Sequence, residues 1–212
     1  LHGVEGKSSV DRYYAIGLTY ANGPLNLAAV VDQTNFSTTK WNGVDWGNPV
    51  DDALTVTVGG NYDFQVVKLY AGAQYFDNAD LNSIDNIFSK DFALSPAQTE
   101  RFQVKGYGLT IGADIPAAGG TFKVATSYLD GTIDTVNGWD MATAIGATFG
   151  EIDISRWNTS AGYLYSLSKR TSLYGVASYS YQTVKGQKDF NGYSLDVAPT
   201  VIEVAAGIVH KF

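Results

Sequence analysis

Cysteine does not occur in this sequence, histidine occurs twice and methionine once. Without thiols there is no disulfide framework, no cysteine nucleophile and no cysteine-based metal site. Two histidines leave little material for imidazole-assisted catalysis. No stretch approaches the roughly 18 consecutive apolar residues of a membrane-spanning helix. Positive charge is scarce as well: 14 Lys and Arg stand against 21 Asp and Glu, a formal net charge of −7. No basic run or basic-aromatic platform is present, so the electrostatic footprint of a nucleic-acid partner is missing. The sequence opens Leu1-His2-Gly3, with neither an initiator Met nor the regions of a signal peptide, which points to a removed leader or a piece of a longer chain.

What is plentiful is glycine (23), tyrosine (14) and phenylalanine (10), in a chain of 212 residues with a mean hydropathy of −0.07. Such a value does not argue against a membrane, because the lipid-facing and lumen-facing residues of a transmembrane barrel alternate and cancel. Alternation is the dominant pattern here. Tyr14, Ile16, Leu18 and Tyr20 are separated by small or polar residues, and Leu25, Leu27, Ala29 and Val31 follow the turn Asn22-Gly23-Pro24. Leu54, Val56, Val58 and Tyr62 repeat the pattern, as do Leu69, Ala71, Ala73 and Tyr75 after the reversal at Tyr62-Asp63-Phe64. A further hairpin turns through Pro116 to Gly120, another through Ser168-Lys169-Arg170-Thr171. A final segment sets Ile202, Val204, Ala206, Ile208 and Phe212 against Glu203, Ala205, Gly207 and Lys211. Near Gly106 the parity changes: Phe102 and Val104 are apolar before it, Tyr107, Leu109 and Ile111 after it. One extra residue at that point, a β-bulge, would put Arg101, Gln103 and Lys105 on the polar side.

Short turns alternate with long polar connections at 34–52, 77–100, 130–155 and 183–198. This is the loop asymmetry of an outer-membrane barrel. It favours reading Met141 to Phe149 as part of one long loop, with a short helix around Met141 to Ile145, over an extra strand. The expected architecture is therefore all-β: a transmembrane antiparallel β-barrel, one domain over residues 1–212, of about nine strands. Nine sequential antiparallel strands cannot close on themselves, because the first and last run in the same direction, so the nine read as part of a larger barrel.

The two faces differ in chemistry. Tyr14, Tyr20, Tyr62, Tyr75, Tyr107, Tyr128, Tyr163, Tyr165, Tyr179 and Tyr181 sit on the apolar face near strand ends, as girdles at the borders of a bilayer require. The other face carries Asn26, Asp32, Lys68, Gln74, Thr110, Asp114, Lys123, Asn158 and Glu203, which a dry protein core would not tolerate unpaired and a wet lumen would solvate. A soluble sandwich with Tyr-rich surfaces is the competing architecture.

Tyr163-Leu164-Tyr165-Ser166-Leu167-Ser168-Lys169-Arg170-Thr171-Ser172-Leu173-Tyr174 resembles the periplasmic hairpin of general porins of Gram-negative bacteria, of the β-proteobacterial type. Gly207-Ile208-Val209-His210-Lys211-Phe212 resembles their C-terminal strand, and Tyr20-Ala21-Asn22-Gly23-Pro24-Leu25 a mid-barrel hairpin. The resemblance implies a sixteen-stranded trimeric barrel in the outer membrane, with short periplasmic turns and long extracellular loops. This sequence would supply its last nine strands and lack the first seven with their constriction loop. It further implies contact with membrane lipid and lipopolysaccharide, and reading of Phe212 by the outer-membrane assembly machinery.

The expected activity is passive diffusion of ions and small hydrophilic solutes, with no cofactor and no catalysis. Asp32, Lys68, Gln74, Arg101, Lys105, Asp114, Lys123 and Glu203 are the expected pore-lining residues, able to tune ion selectivity. Several of them could equally sit solvated in a wide vestibule. Lys169-Arg170 reads as a basic structural turn more than a solute site, and Trp41, Trp46 and Trp139 as loop-packing residues more than sugar platforms. Two other classes stay open at this stage: an adhesin or structural barrel without a conducting path, and a barrel enzyme. The first would fill the inner face with bulky apolar residues, whereas Gly17, Gly59, Gly72, Gly108, Gly112, Gly162 and Gly207 fall there. The second would need a nucleophile or activated water beside a histidine or carboxylate.

Overall fold

The computed structural model describes residues 12–35, 40–41, 44–45, 51–80, 103–133, 151–186 and 195–211. Arg101, Phe212, Trp46, Trp139 and the 141–149 segment lie outside the described residues, as does any helix within it. Alternating side chains build a single antiparallel sheet from β1 (Arg12–Asn22), β2 (Leu25–Asn35), β5 (Ala53–Asp63), β6 (Lys68–Asp80), β7 (Gln103–Ala117), β8 (Gly120–Ile133), β9 (Ile152–Ser166), β10 (Thr171–Gly186), β11 (Leu195–Val197) and β12 (Thr200–His210). A separate pair, β3 (Lys40–Trp41) and β4 (Val44–Asp45), forms within the connection between β2 and β5. Strands β11 and β12 pair with β10 in one unbroken register, Val184 opposite Val197 and Tyr181 opposite Thr200. They are one strand interrupted at Pro199, which has no N–H to give the ladder but whose carbonyl accepts from the Gln182 N–H at 3.0 Å. The sheet therefore has nine strand positions.

Each strand pairs with its sequence neighbour, and the turns alternate as anticipated. At one end the reversals are short: Gly23 (φ 55°), the stretch Phe64 to Val67, Ala118 with Gly119 (φ 50° and 79°), and Leu167 to Arg170. The two successive positive φ values at Ala118-Gly119 give the primed turn whose twist suits adjacent strands. At Asp63 the carboxylate accepts the Gln65 N–H at 2.7 Å, bending the chain back toward Lys68. The strand ends that the long connections join all lie at the other end, and β8 and β9, either side of one of them, are direct neighbours in the sheet.

The bulge departs from expectation. Phe76 pairs with Gly106 and Ala79 with Val104, so the extra residue is in β6, at Asp77-Asn78, where Asn78 has φ 55°. Strand β7 keeps an unbroken register with β8 from Val104 to Ala117. Lys105 thus stays on the face of Tyr107 and Leu109, and not on the polar face to which a bulge in β7 would have sent it. The local sequence around residue 106 carries the signature of an irregularity, but which strand absorbs the extra residue is decided by cross-strand pairing.

The outer face carries Ile16, Leu18, Val58, Leu69, Leu109, Ile111, Ile202 and Val204, all exposed. Aromatic rings border it at both ends. Tyr107, Tyr128 and Trp157 run toward the long connections with centroids 6.4 and 5.9 Å apart, and Tyr62 with Phe64 lies at the short-turn end, 4.4 Å apart. Hydroxyls in the apolar band satisfy one another: Thr126 and Thr159 share a 2.9 Å hydrogen bond, and Trp157 Nε1 donates to Thr159 Oγ1 at 2.9 Å. In hydrocarbon such groups have no water to turn to.

The inner face is not uniform. Toward the long connections, Phe76, Val104, Ile133, Ile152, Ile154 and Val184 point inward and are 5% exposed or less. Bulky apolar residues thus do occupy part of the inner face: a buried patch at that end, with Val176, Leu164 and Val209 further along the wall toward the short turns. Among the described residues, strands β1 and β12 are each hydrogen-bonded on one side only, and they run in the same direction. An edge strand in lipid leaves a row of unpaired N–H and C=O groups, each costing several kcal/mol, so the sheet is stable in a bilayer only as part of a closed ring.

Candidate functional site

Strict alternation combined with the register of each pair assigns every strand residue to a face. Asp32, Lys68, Gln74, Asp114, Lys123 and Glu203 fall on the inner face. Lys105 falls on the outer one, its Nζ 3.5 Å from Asp77 Oδ1 and close to the Tyr75–Tyr107 border. All seven glycines anticipated on the inner wall are there, from Gly17 on β1 to Gly207 on β12. At Gly207 the absent side chain is replaced by the Tyr174 ring: a Cβ would stand 2.6 Å from the Tyr174 hydroxyl.

Near the short-turn end, direct cross-strand neighbours form a charged row of alternating sign: Asp63 on β5, Lys68 on β6, Asp114 on β7 and Lys123 on β8. Asp114 is its hub. Its Oδ2 accepts from Lys123 Nζ at 2.5 Å and from the Tyr70 hydroxyl at 3.0 Å, while Lys68 Nζ stands 5.5 Å from the centroid of the Tyr70 ring. Only pairing across strands nearly 50 residues apart brings Lys68 beside Asp114. Higher on the wall the contacts are neutral or singly charged: Asn26 with Asn61 at 3.2 Å, Gln74 with Thr57 at 3.1 Å, Asn158 with Ser180 at 2.6 Å, and Ser178 with Glu203 Oε2 at 3.3 Å.

Two inner-face charges escaped the sequence reading. Asp63 was taken as a turn residue, although it shares the parity of Asn61 and Thr57. Arg156 falls just past the long connection at 130–155 and was assigned to no face, yet β9 begins four residues earlier at Ile152, and Arg156 lies between Leu129 and Gln182 on the inner face. The parity of Asn158 and Ser160, extended two residues back, was the signal that could have found it. Among the described residues no group of three or more His, Asp or Glu side chains could hold a metal ion. Chemically, the wall offers a wettable surface with partly exposed charges, of which Lys123 and Asp114 form an ion pair, and small side chains between them.

A family described as Gram-negative porin matches residues 2–187. An outer membrane porin protein of Bordetella pertussis is 30% identical over 210 residues, covering 98% of this chain and 48% of that protein. Among solved structures, an anion-selective porin from Comamonas acidovorans superposes with a TM-score of 0.57 at 23% identity, over 96% of this chain and 50% of that one. The chain spans about half the length of both relatives.

Proposed function

The chain belongs to the Gram-negative porin family, an outer-membrane family, and from that premise we propose that its sheet is one wall of a passive diffusion channel for ions and small hydrophilic solutes. The observation that carries the reading is the division of the nine-position sheet into an apolar outer face bordered by aromatic rings and an inner face that, below its buried apolar patch, carries small, polar and charged residues. Asp32, Lys68, Gln74, Asp114, Lys123 and Glu203 line the water-filled path in this reading, joined by Asp63 and Arg156. Lys105 instead belongs to the lipid headgroup border. Arg101 keeps its sequence-based place among the lining residues. Solutes are selected by size and by the sign of charge on the wall, without a cofactor and without a reaction step.

The outer face is in contact with membrane lipid and, on the long-loop side, lipopolysaccharide. We further propose that the working unit is a homotrimer, and that Phe212 is the residue read by the outer-membrane assembly machinery. Reconstitution of the full-length protein in a planar bilayer tests the central reading, with step-like conductance as the expected result. A silent membrane under conditions where folded protein has inserted, or conductance that waits on a specific ligand, overturns it. Cross-linking of the detergent-solubilised protein tests the trimer, and a species that stays monomeric refutes it.

A further inference from the structure

The rim at the short-turn end holds a second cluster of charge, unlike the row around Asp114 because among the described residues no carboxylate lines it. A cavity of about 480 Å³ is lined by Lys169, Arg170 and Lys211 together with Ser166, Ser168 and Ser172. The three cations come from two segments 41 residues apart, and the Lys211 N–H donating to the Arg170 carbonyl at 2.9 Å holds them together. Leu164 and Val209 complete the wall. By register Leu164, Ser166, Ser172 and Val209 belong to the inner face, whereas the outer-face residues Tyr165, Leu173 and Ile208 do not line the cavity. The cavity therefore opens to water and not to lipid.

The hydroxyls are arranged to give protons. Ser168 Oγ accepts the Arg170 N–H at 3.2 Å and the Thr171 N–H at 3.0 Å, which occupies both lone pairs and leaves its O–H to donate outward. Ser166 and Ser172 stand 3.5 Å apart, so at most one of their two protons is used between them. Among the described residues no carboxylate lines the cavity with these three cations, so an entering anion would meet like charges and hydroxyl donors together.

We propose that this cavity binds a small oxyanion, a phosphate or carboxylate group carried by a water-soluble solute, at the short-turn mouth of the channel. Arg170 supplies the planar donor fork, Lys169 and Lys211 supply point charges, and Ser168 supplies a directed hydrogen bond. The binding itself stands apart from transport. Its consequence, local enrichment of anions at one mouth and hence conductance that depends on the direction of the applied voltage, rests on the channel reading above.

Inorganic phosphate is the probe, titrated calorimetrically into the full-length protein in a zwitterionic detergent. Saturable binding that weakens as sodium chloride is raised is expected. Lys169→Ser with Arg170→Ser should weaken it roughly tenfold or more, because charge-assisted hydrogen bonds are lost, whereas Lys169→Arg should keep it. The alternative source of the same group, an anionic lipid headgroup, is tested in nanodiscs: phosphatidylglycerol that displaces phosphate would overturn the aqueous placement. Absence of saturable binding in folded protein, or equal binding by the double serine variant, overturns the site. Step-like conductance without phosphate binding sinks this inference alone. Phosphate binding without conductance sinks the channel reading and leaves the site standing.

Discussion

Asp114→Asn is the substitution that most directly tests whether the charged row faces permeating ions. The amide keeps the shape of the carboxylate and can still accept from the Tyr70 hydroxyl, so the change is chiefly one of charge: a row of alternating sign from Asp63 to Lys123 gains one net positive unit. Lys123 and Asp114 are 48% and 23% exposed, which puts the pair in a high-dielectric setting where removing it costs about 0.2–1 kcal/mol of stability. Folding should therefore survive. A unit charge about 5 Å from a passing ion in water is worth ~0.8 kcal/mol, close to fourfold in local concentration. Screening over a Debye length of about 10 Å at 0.1 M salt trims this to roughly twofold for ions nearer the axis. The anion-to-cation permeability ratio, read from the reversal potential of the full-length protein under a potassium chloride gradient, should rise about four- to sixteenfold, because the cation loses and the anion gains by the same factor. The effect should fade near 1 M salt, where the Debye length is about 3 Å. An unchanged reversal potential at low salt, or a shift toward cations, would refute the inward placement of Asp114.

Lys68→Glu reverses a charge in the same row and should move the reversal potential toward cations, whereas Lys105→Glu should leave it unmoved because Lys105 lies on the outer face beside Asp77; equal shifts would show the face assignment to be wrong. Gly106→Val places a Cβ against the Asp130 carbonyl oxygen and 2.6 Å from Gly131 Cα, so backbone must give way. A loss of about 1–3 kcal/mol is expected in urea-dependent unfolding from detergent, and an unaltered midpoint would mean the strands there are free to part. Ile152→Asp buries a charge in the apolar inner patch, where Ile152 is 2% exposed. The penalty of several kcal/mol should prevent stable folding, and a variant as stable as the parent would show that this end of the wall is wet.

The division into two faces was legible in the chain because the period of a strand is two whatever it pairs with: Ile16, Leu18 and Tyr20 declare their face without reference to any partner. The short turns were legible for the same reason, since Asn22-Gly23-Pro24 and Ala118-Gly119 carry their dihedral preferences locally. Together these settled the all-β class, the number of strand positions and the side of the sheet taken by Asp32, Asp114 and Glu203. Three things were decided only by tertiary structure. The extra residue near the sixth and seventh strands could be absorbed by either, and the pairing of Phe76 with Gly106 put it at Asp77-Asn78, which left Lys105 facing outward. The start of β9 at Ile152 depends on how far its neighbours extend the hydrogen-bonded ladder, and that extent secures for Arg156 the inward place that its parity with Asn158 suggests. The charged row at Asp114 and the basic rim at Arg170 and Lys211 exist because register aligns segments far apart in sequence. Alternation is a property of one strand, but register is a property of two, and no residue carries it alone.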